Sequence, residues 1–245
     1  MTDREAELAT ALAALQDRLS AAARDAGRDV DEIDLLPITK FFPATDVAIL
    51  WRLGCRTFGE SREQEASAKI AEFTDLTAAR DVRWHMVGQI QRNKAKAIAG
   101  WADTVHSLST AKVAAALDRG AAHAIDEGIR TAPVNVFIQI SLDGDTSRGG
   151  VDIGDSGAVD ELCAQVAQAG GLRLTGLMAI PPLGADPDTA FAALAEEHRR
   201  ILVNHPEATA LSAGMSGDLE AAVRHGSTCV RVGTALMGQR PLTSP

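Results

Sequence analysis

The 245-residue chain has no tyrosine, so no phenol can serve it as proton donor or acceptor. Cysteine is scarce as well: Cys55, Cys163 and Cys229 stand far apart, without C-x-x-C spacing. A disulfide framework or a zinc site has no ligand pattern to rest on, and a reducing compartment fits. No stretch approaches the roughly 18 apolar residues that span a membrane. The first residues place Asp3, Glu5 and Glu7 where an export signal would carry basic ones. The expected location is therefore the cytoplasm, with no membrane partner. Basic residues are outnumbered by acidic ones, 24 to 33, and the net charge is −9. That excludes a nucleic-acid backbone as the main partner but leaves room for a local pocket that takes a small anion. Nucleotide binding has no motif, since neither a Walker loop nor G-x-G-x-x-G occurs.

What is present is alternation. Nearly half of the residues are apolar (46%), enough for a sizeable core. The first segment is an amphipathic helix: Thr2 and Glu5 have capping-box spacing, and Leu8, Leu12, Leu15 and Leu19 line one face up to Gly27. Eight strand-like runs follow, at Ile33–Thr39, Arg56–Phe58, Arg83–Val87, Thr104–Leu108, Val134–Leu142, Leu172–Ile180, Thr209–Ala213 and Cys229–Val232. Helical stretches separate them, which implies parallel pairing through crossovers. Eight such units in a chain of about 250 residues favour a closed (β/α)₈ TIM barrel over an open doubly wound sheet. No linker or repeat divides residues 1–245, so one domain is expected. The tail after the eighth strand is too short for a full helix, and the N-terminal helix is expected to cover that part of the wall.

Of five lysines, Lys69, Lys94, Lys96 and Lys112 fall on helical stretches and are expected at the solvated surface. Lys40 differs, because it ends the first strand and is followed by Phe41-Phe42-Pro43. Barrels carry their active sites at the C-terminal ends of strands. An amine desolvated there is suited to attack an aldehyde and form a Schiff base. A lysine that snorkels to the surface is the plainer alternative. Two loops add an anion site. Leu211-Ser212-Ala213-Gly214-Met215-Ser216-Gly217-Asp218 follows the seventh strand, and Arg231-Val232-Gly233-Thr234 ends the eighth. Barrels often bind phosphate with these two loops. Simple helix capping by Ser216 would explain one of them without any ligand. A phosphate-bearing aldehyde such as pyridoxal 5′-phosphate unites the lysine with the loops. His85 is expected to be a hydrogen-bonded structural residue, and His123, His198, His205 and His225 show no metal-ligand grouping, so no metal site is expected. Turn formation accounts for Asp143 and Asp145.

Several segments together resemble the YggS/PROSC family of pyridoxal phosphate homeostasis proteins. They are Ile38-Thr39-Lys40, Phe58-Gly59-Glu60, Trp84 to Lys94, Gly176 to Ile180, Leu211 to Asp218 and Val230 to Gly238. The resemblance runs in order from the first strand to the C-terminus. It implies a barrel like the N-terminal domain of alanine racemase, with pyridoxal phosphate held on the lysine that matches Lys40. It also implies a role in cofactor homeostasis and carriage, with little or no catalysis, transient contact with apo-enzymes as recipients, and a monomeric state. Carried over by residue, Ser212, Ser216, Gly233 and Thr234 resemble a phosphate cradle and Arg231 a cofactor-contacting arginine. Met178, Ser61 and His85 would line the pocket. Two positions depart from the family pattern. Ser61 stands where many members have asparagine, and Arg148 stands where a lysine is common. Two enzymatic readings stay open: a racemase of the same fold type, and a Schiff-base aldolase without pyridoxal phosphate. The first meets a difficulty, because alanine racemase pairs its lysine with a tyrosine and none occurs here.

Overall fold

A computed structural model describes residues 2–239. Nine parallel strands alternate with helices. They are β1 (Asp34–Pro37), β2 (Thr57–Glu60), β3 (Arg83–Met86), β4 (Thr104–Leu108), β5 (Val134–Ser141), β6 (Val151–Asp152), β7 (Leu172–Ala179), β8 (Ala210–Ser212) and β9 (Cys229–Val232). Eight of them follow the order β1-β9-β8-β7-β5-β4-β3-β2, and β6 pairs only with β5. A bridge between Ile38 and Gly59 joins β1 to β2 and completes the ring. The expected barrel is present, with all eight expected strands. The two-residue β6 is additional, and β2 runs on to Glu60, two residues past its expected end. Gly59 and Glu60 do not read as strand by propensity, but pairing with His85 and Met86 recruits them.

The helices are α1 (Asp3–Asp25), α2 (Ala44–Arg52), α3 (Glu63–Thr77), α4 (Ala95–Trp101), α5 (Ala111–Asp126), α6 (Ser156–Gln168), α7 (Pro187–Ile201), α8 (Leu219–Arg224) and α9 (Thr234–Met237). The Thr2 side chain accepts a hydrogen bond from the Glu5 N–H, so α1 begins where capping spacing places it. Its Leu8, Leu12 and Leu15 pack with Val47 and Leu50 of α2 and with Leu236 and Met237 of α9. Its Leu19, Ala22 and Ala23 meet Leu219 and Val223 of α8. The long first helix thus covers the wall that the four-residue α9 cannot. Residues 240–245 of the tail lie outside the described residues.

Arginines on α1 also tie this helix to the loops above the barrel. Arg18 forms a two-pronged ion pair with Glu220 and donates to the Ser216 carbonyl at 2.7 Å. Arg4 pairs with Asp46 at 2.7 Å and donates to the Met237 carbonyl at 3.0 Å.

Residues in register on parallel neighbours point to the same face. Leu36 with Arg231, Gly59 with His85, and Met178 with Ser212 are such pairs, and they face into the barrel. The alternate set faces the helices. Phe58 and Trp84 pack toward α2 and α3, while Val105, Val136 and Ile138 join the large aliphatic layer under α4 to α7. Among the described residues no helix is long and apolar enough to cross a membrane.

Candidate functional site

The site is assembled from strand ends. Ile38 donates to the Val232 carbonyl at 2.9 Å, which locks the end of β1 beside the end of β9. Lys40 follows the first and Gly233-Thr234 the second, so lysine and loop emerge side by side. Lys40 is half-buried and sits in a tight turn, closed by the Phe42 N–H on the Thr39 carbonyl at 3.1 Å. It occupies the first corner of that turn. Phe41, at the second corner, has φ +71°, the left-handed region that type II turns demand and glycine normally supplies. For phenylalanine this costs about 1–3 kcal/mol and persists only where the surroundings over-determine it.

Next to it on the ring, the β8–α8 loop meets the start of α9. Ser216 is half-buried, and its hydroxyl accepts from the Ala235 N–H at 3.4 Å. It does not cap α8, whose N-cap is Asp218 without a side-chain bond. The capping explanation of Ser216 therefore fails. Among the described residues the backbone N–H groups of Ser216, Gly217, Gly233 and Thr234 have no hydrogen-bond partner. Gly214 lets the loop turn back: its φ is +91°, and a Cβ there would lie 2.5 Å from the Ala222 side chain. Open N–H donors, a serine and a threonine hydroxyl, and a lysine amine on the adjacent strand end fit a ligand with a phosphate and a carbonyl.

Beneath this mouth a polar chain crosses the barrel interior. Arg231, 5% exposed, donates to the Ser212 hydroxyl and, at 3.0 Å, to the Ala179 carbonyl. Ser212 Oγ lies 2.8 Å from His106 Nδ1, and His106 Nε2 lies 2.9 Å from His85 Nδ1. The His106 ring stacks on Phe137 at 4.6 Å between centroids. Burial pushes His85 down to about 4, and burial together with its neighbours His85 and Arg231 carries His106 well below the ordinary imidazole range. Both rings are therefore neutral, with one N–H each. Two proton arrangements satisfy the chain, and both leave His85 Nε2 without a partner. It is an N–H in one arrangement and a lone pair in the other.

Of the residues singled out from sequence, Arg231, Ser212, Met178 and His85 thus come together inside the barrel. Lys40, Ser216, Gly233 and Thr234 share its mouth. Ser212 is fully buried and bonded to Arg231 and His106, a layer below the open N–H groups of the loops. His106 was not singled out. Its signal was its place in the fourth strand two residues after Thr104, which gives both the same side of the sheet.

Ser61 lies at the outer edge of the mouth and lines a cavity of about 880 Å³ together with Phe41, Arg62, Glu65, Lys69 and Met86. Its carbonyl packs on Gly88, where a Cβ would approach to 2.0 Å. This cavity lies between the strand ends and α2 to α4, so its lining includes neither the β8–α8 loop nor Arg231. The expectation that Lys69 is a solvated surface lysine is corrected. It is 6% exposed, because its face of α3 packs onto the end of β2. There its ammonium meets Glu60 at 2.7 Å, the Thr39 carbonyl at 2.8 Å and Glu65 at 3.3 Å. Burial raises the Glu60 carboxyl against the opposing pull of Lys69. Arg148 is tied to Asp143 and Asp145 in its own loop.

A closed parallel barrel with a lysine at the end of its first strand and open N–H groups after its last two fits the alanine racemase N-terminal type. The family model for that domain matches residues 11–241. The corresponding part of Corynebacterium glutamicum alanine racemase superposes with a TM-score of 0.64 at 17% identity, over 94% of this chain and 61% of the racemase. Within that class the sequence is more specific. It is 61% identical over 249 residues to the pyridoxal phosphate homeostasis protein of Mycobacterium tuberculosis, covering 99% of this chain and 96% of the relative. It is 36% identical to the Escherichia coli protein of the same name, over 96% of this chain and 97% of that one. Synechococcus elongatus PipY with pyridoxal phosphate bound superposes with a TM-score of 0.78 at 32% identity, over 94% of this chain and all (100%) of that one. The chain belongs to the pyridoxal phosphate homeostasis protein family.

Proposed function

We propose that this chain binds pyridoxal 5′-phosphate as a Schiff base on Lys40 and keeps it available inside the cell, with little or no catalysis of its own. The observation that supports the reading is the shared mouth, where the strand end that carries Lys40 lies beside β9 and its loop, with unpartnered N–H donors after the two neighbouring strands. When bound, the cofactor would supply an aldehyde carbon open to attack by a lysine amine. The chain's own residues do the rest. Ser216, Gly217, Gly233 and Thr234 receive the phosphate, and Arg231 presents its guanidinium from the floor. Ser212 and His106 hold that guanidinium in place. Met178 and His85 bound the pocket from within, and Ser61 stands at the outer edge of its mouth. The name carried by relatives supports homeostasis as the role. The lack of any tyrosine removes the phenol that a lysine–tyrosine racemase would need. A cytoplasmic monomer that passes cofactor to apo-enzymes is the form of the proposal.

The test is an absorption spectrum of the purified protein saturated with pyridoxal phosphate, before and after borohydride. A band near about 420 nm that borohydride abolishes is expected in the wild type and not in Lys40→Ala. The same band in both would move the link to another lysine. Robust turnover of alanine between its enantiomers, followed by chiral chromatography, would replace the carrier by an enzyme.

A further inference from the structure

The turn that carries Lys40 is the wrong shape for its sequence, and something outside the turn holds it. Type I and type II turns differ by a flip of the peptide between their two corner residues. Here that peptide joins Lys40 to Phe41, and the positive φ of Phe41 sets it in the sense that suits glycine. The N–H of this very peptide donates to Glu65 Oε1 of α3. The carbonyl that closes the turn, on Thr39, accepts from Lys69 four residues further along the same helix. Glu60 Oε1 completes the arrangement, accepting from Lys69 at 2.7 Å and from the Thr39 hydroxyl at 2.6 Å. Residues on both sides of Lys40 are thus gripped from one helix face.

We propose that Glu65 and Lys69, braced by Glu60, are positioning residues that hold the Lys40–Phe41 peptide in its flipped state and so aim the Lys40 amine into the barrel mouth. The inference rests on the assignment of Lys40 as the cofactor lysine. With the grip released, the peptide turns over to the form that phenylalanine favours, and the change in Lys40 ψ that goes with it shifts the side-chain rotamers open to the lysine. None of the three residues needs to touch the ligand.

Three variants of the full chain test this: Glu65→Ala, Glu65→Gln, which keeps a carbonyl acceptor, and Glu65→Ala combined with Phe41→Gly. The readouts are the exchange rate of the Phe41 amide by NMR and the rate at which the borohydride-sensitive band forms after pyridoxal phosphate is added. A urea unfolding curve on each sample separates positioning from loss of fold. Glu65→Ala is expected to lose about tenfold in amide protection and about tenfold in band formation, since small misplacements of a reacting group carry such factors. Glu65→Gln should return to within about threefold of wild type. Glycine at position 41 accepts the positive φ freely and should rescue Glu65→Ala to a similar degree. Glu65→Ala with wild-type exchange and wild-type band formation overturns the inference while leaving Lys40 its role. So does a glutamine variant as slow as alanine. A wild-type chain that never acquires the band takes away the role of Lys40, and the inference with it.

Discussion

Two buried cations stand on opposite sides of the barrel's strands, and they are held in opposite ways. Lys69 lies outside the ring of strands, between β2 and α3, with two carboxylates around it. Arg231 lies inside the ring, held by a hydroxyl and a carbonyl, and makes no ion pair among the described residues. A charge surrounded by opposite charges is spent on structure, since little field remains for anything else. A charge solvated only by neutral dipoles keeps its attraction for an anion that comes near. Neutral His85 and His106 serve the second arrangement, because they fill the interior with hydrogen-bonding groups that compensate no charge. Burial alone therefore does not distinguish a binding cation from a structural one. The company it keeps does.

The largest expected effect breaks the ionic half of this comparison. Lys69→Met leaves Glu60 fully buried and without its counterion, and such losses cost about 3–5 kcal/mol. Urea unfolding at neutral pH should show that loss, and Glu60→Met in the same chain should recover most of it. A single variant within about 0.5 kcal/mol of wild type would mean that the pair is solvated and the contrast unfounded.

The neutral half is probed by pH. His85 has a folded value of about 4 against 6.5 for the free side chain, so the unfolded chain takes up its proton first as pH falls. Its contribution is complete above about pH 6.5 and is lost progressively down to about 4, by about 3 kcal/mol, with His106 adding in the same direction. Unfolding curves across that window should steepen with acid. His85→Asn combined with His106→Asn should flatten them. A wild-type profile level from pH 7 to 4 would show that the rings are not neutral in the folded protein.

The same contrast explains what the sequence disclosed. Strand and helix periods, and the position of Lys40 after Ile33–Thr39, were legible because each is local: a run of apolar residues with a lysine at its end. The loops around Ser216 and Gly233 were legible because glycines and hydroxyls cluster along the chain. Lys69 was not. Its helical stretch reads no differently from the one that follows Lys94, and its burial depends on Glu60, which enters β2 only through its pairing with β3. His106 was missed for a related reason, since its partners His85 and Ser212 lie 21 and 106 residues away. Nor does any local rule place phenylalanine at positive φ after Lys40, because the cause is a carboxylate 24 residues on. Contacts between elements that are distant in sequence decide whether a polar residue binds, braces or merely faces water.

The smallest effects sharpen the comparison by setting the serine that ends β8 against the serine of the loop that follows it. Ser212 is buried, with its hydroxyl between Arg231 and His106. Ser216 is half-buried, and its hydroxyl has only a long bond to Ala235. Ser212→Ala strands two buried polar groups and should cost about 2 kcal/mol in unfolding free energy. Ser216→Ala removes a group that water can replace, and stability should change by less than about 0.5 kcal/mol. Its effect belongs to the ligand instead. Inorganic phosphate, titrated as a competitor of pyridoxal phosphate, should bind the Ser216 variant at least about tenfold more weakly, since one hydrogen bond to a charged group is worth about 1.5–3 kcal/mol. Should Ser216→Ala lose stability and keep its phosphate affinity, the two serines would exchange roles. The anion site would then lie in the floor of the barrel, beside Arg231, and not at its mouth.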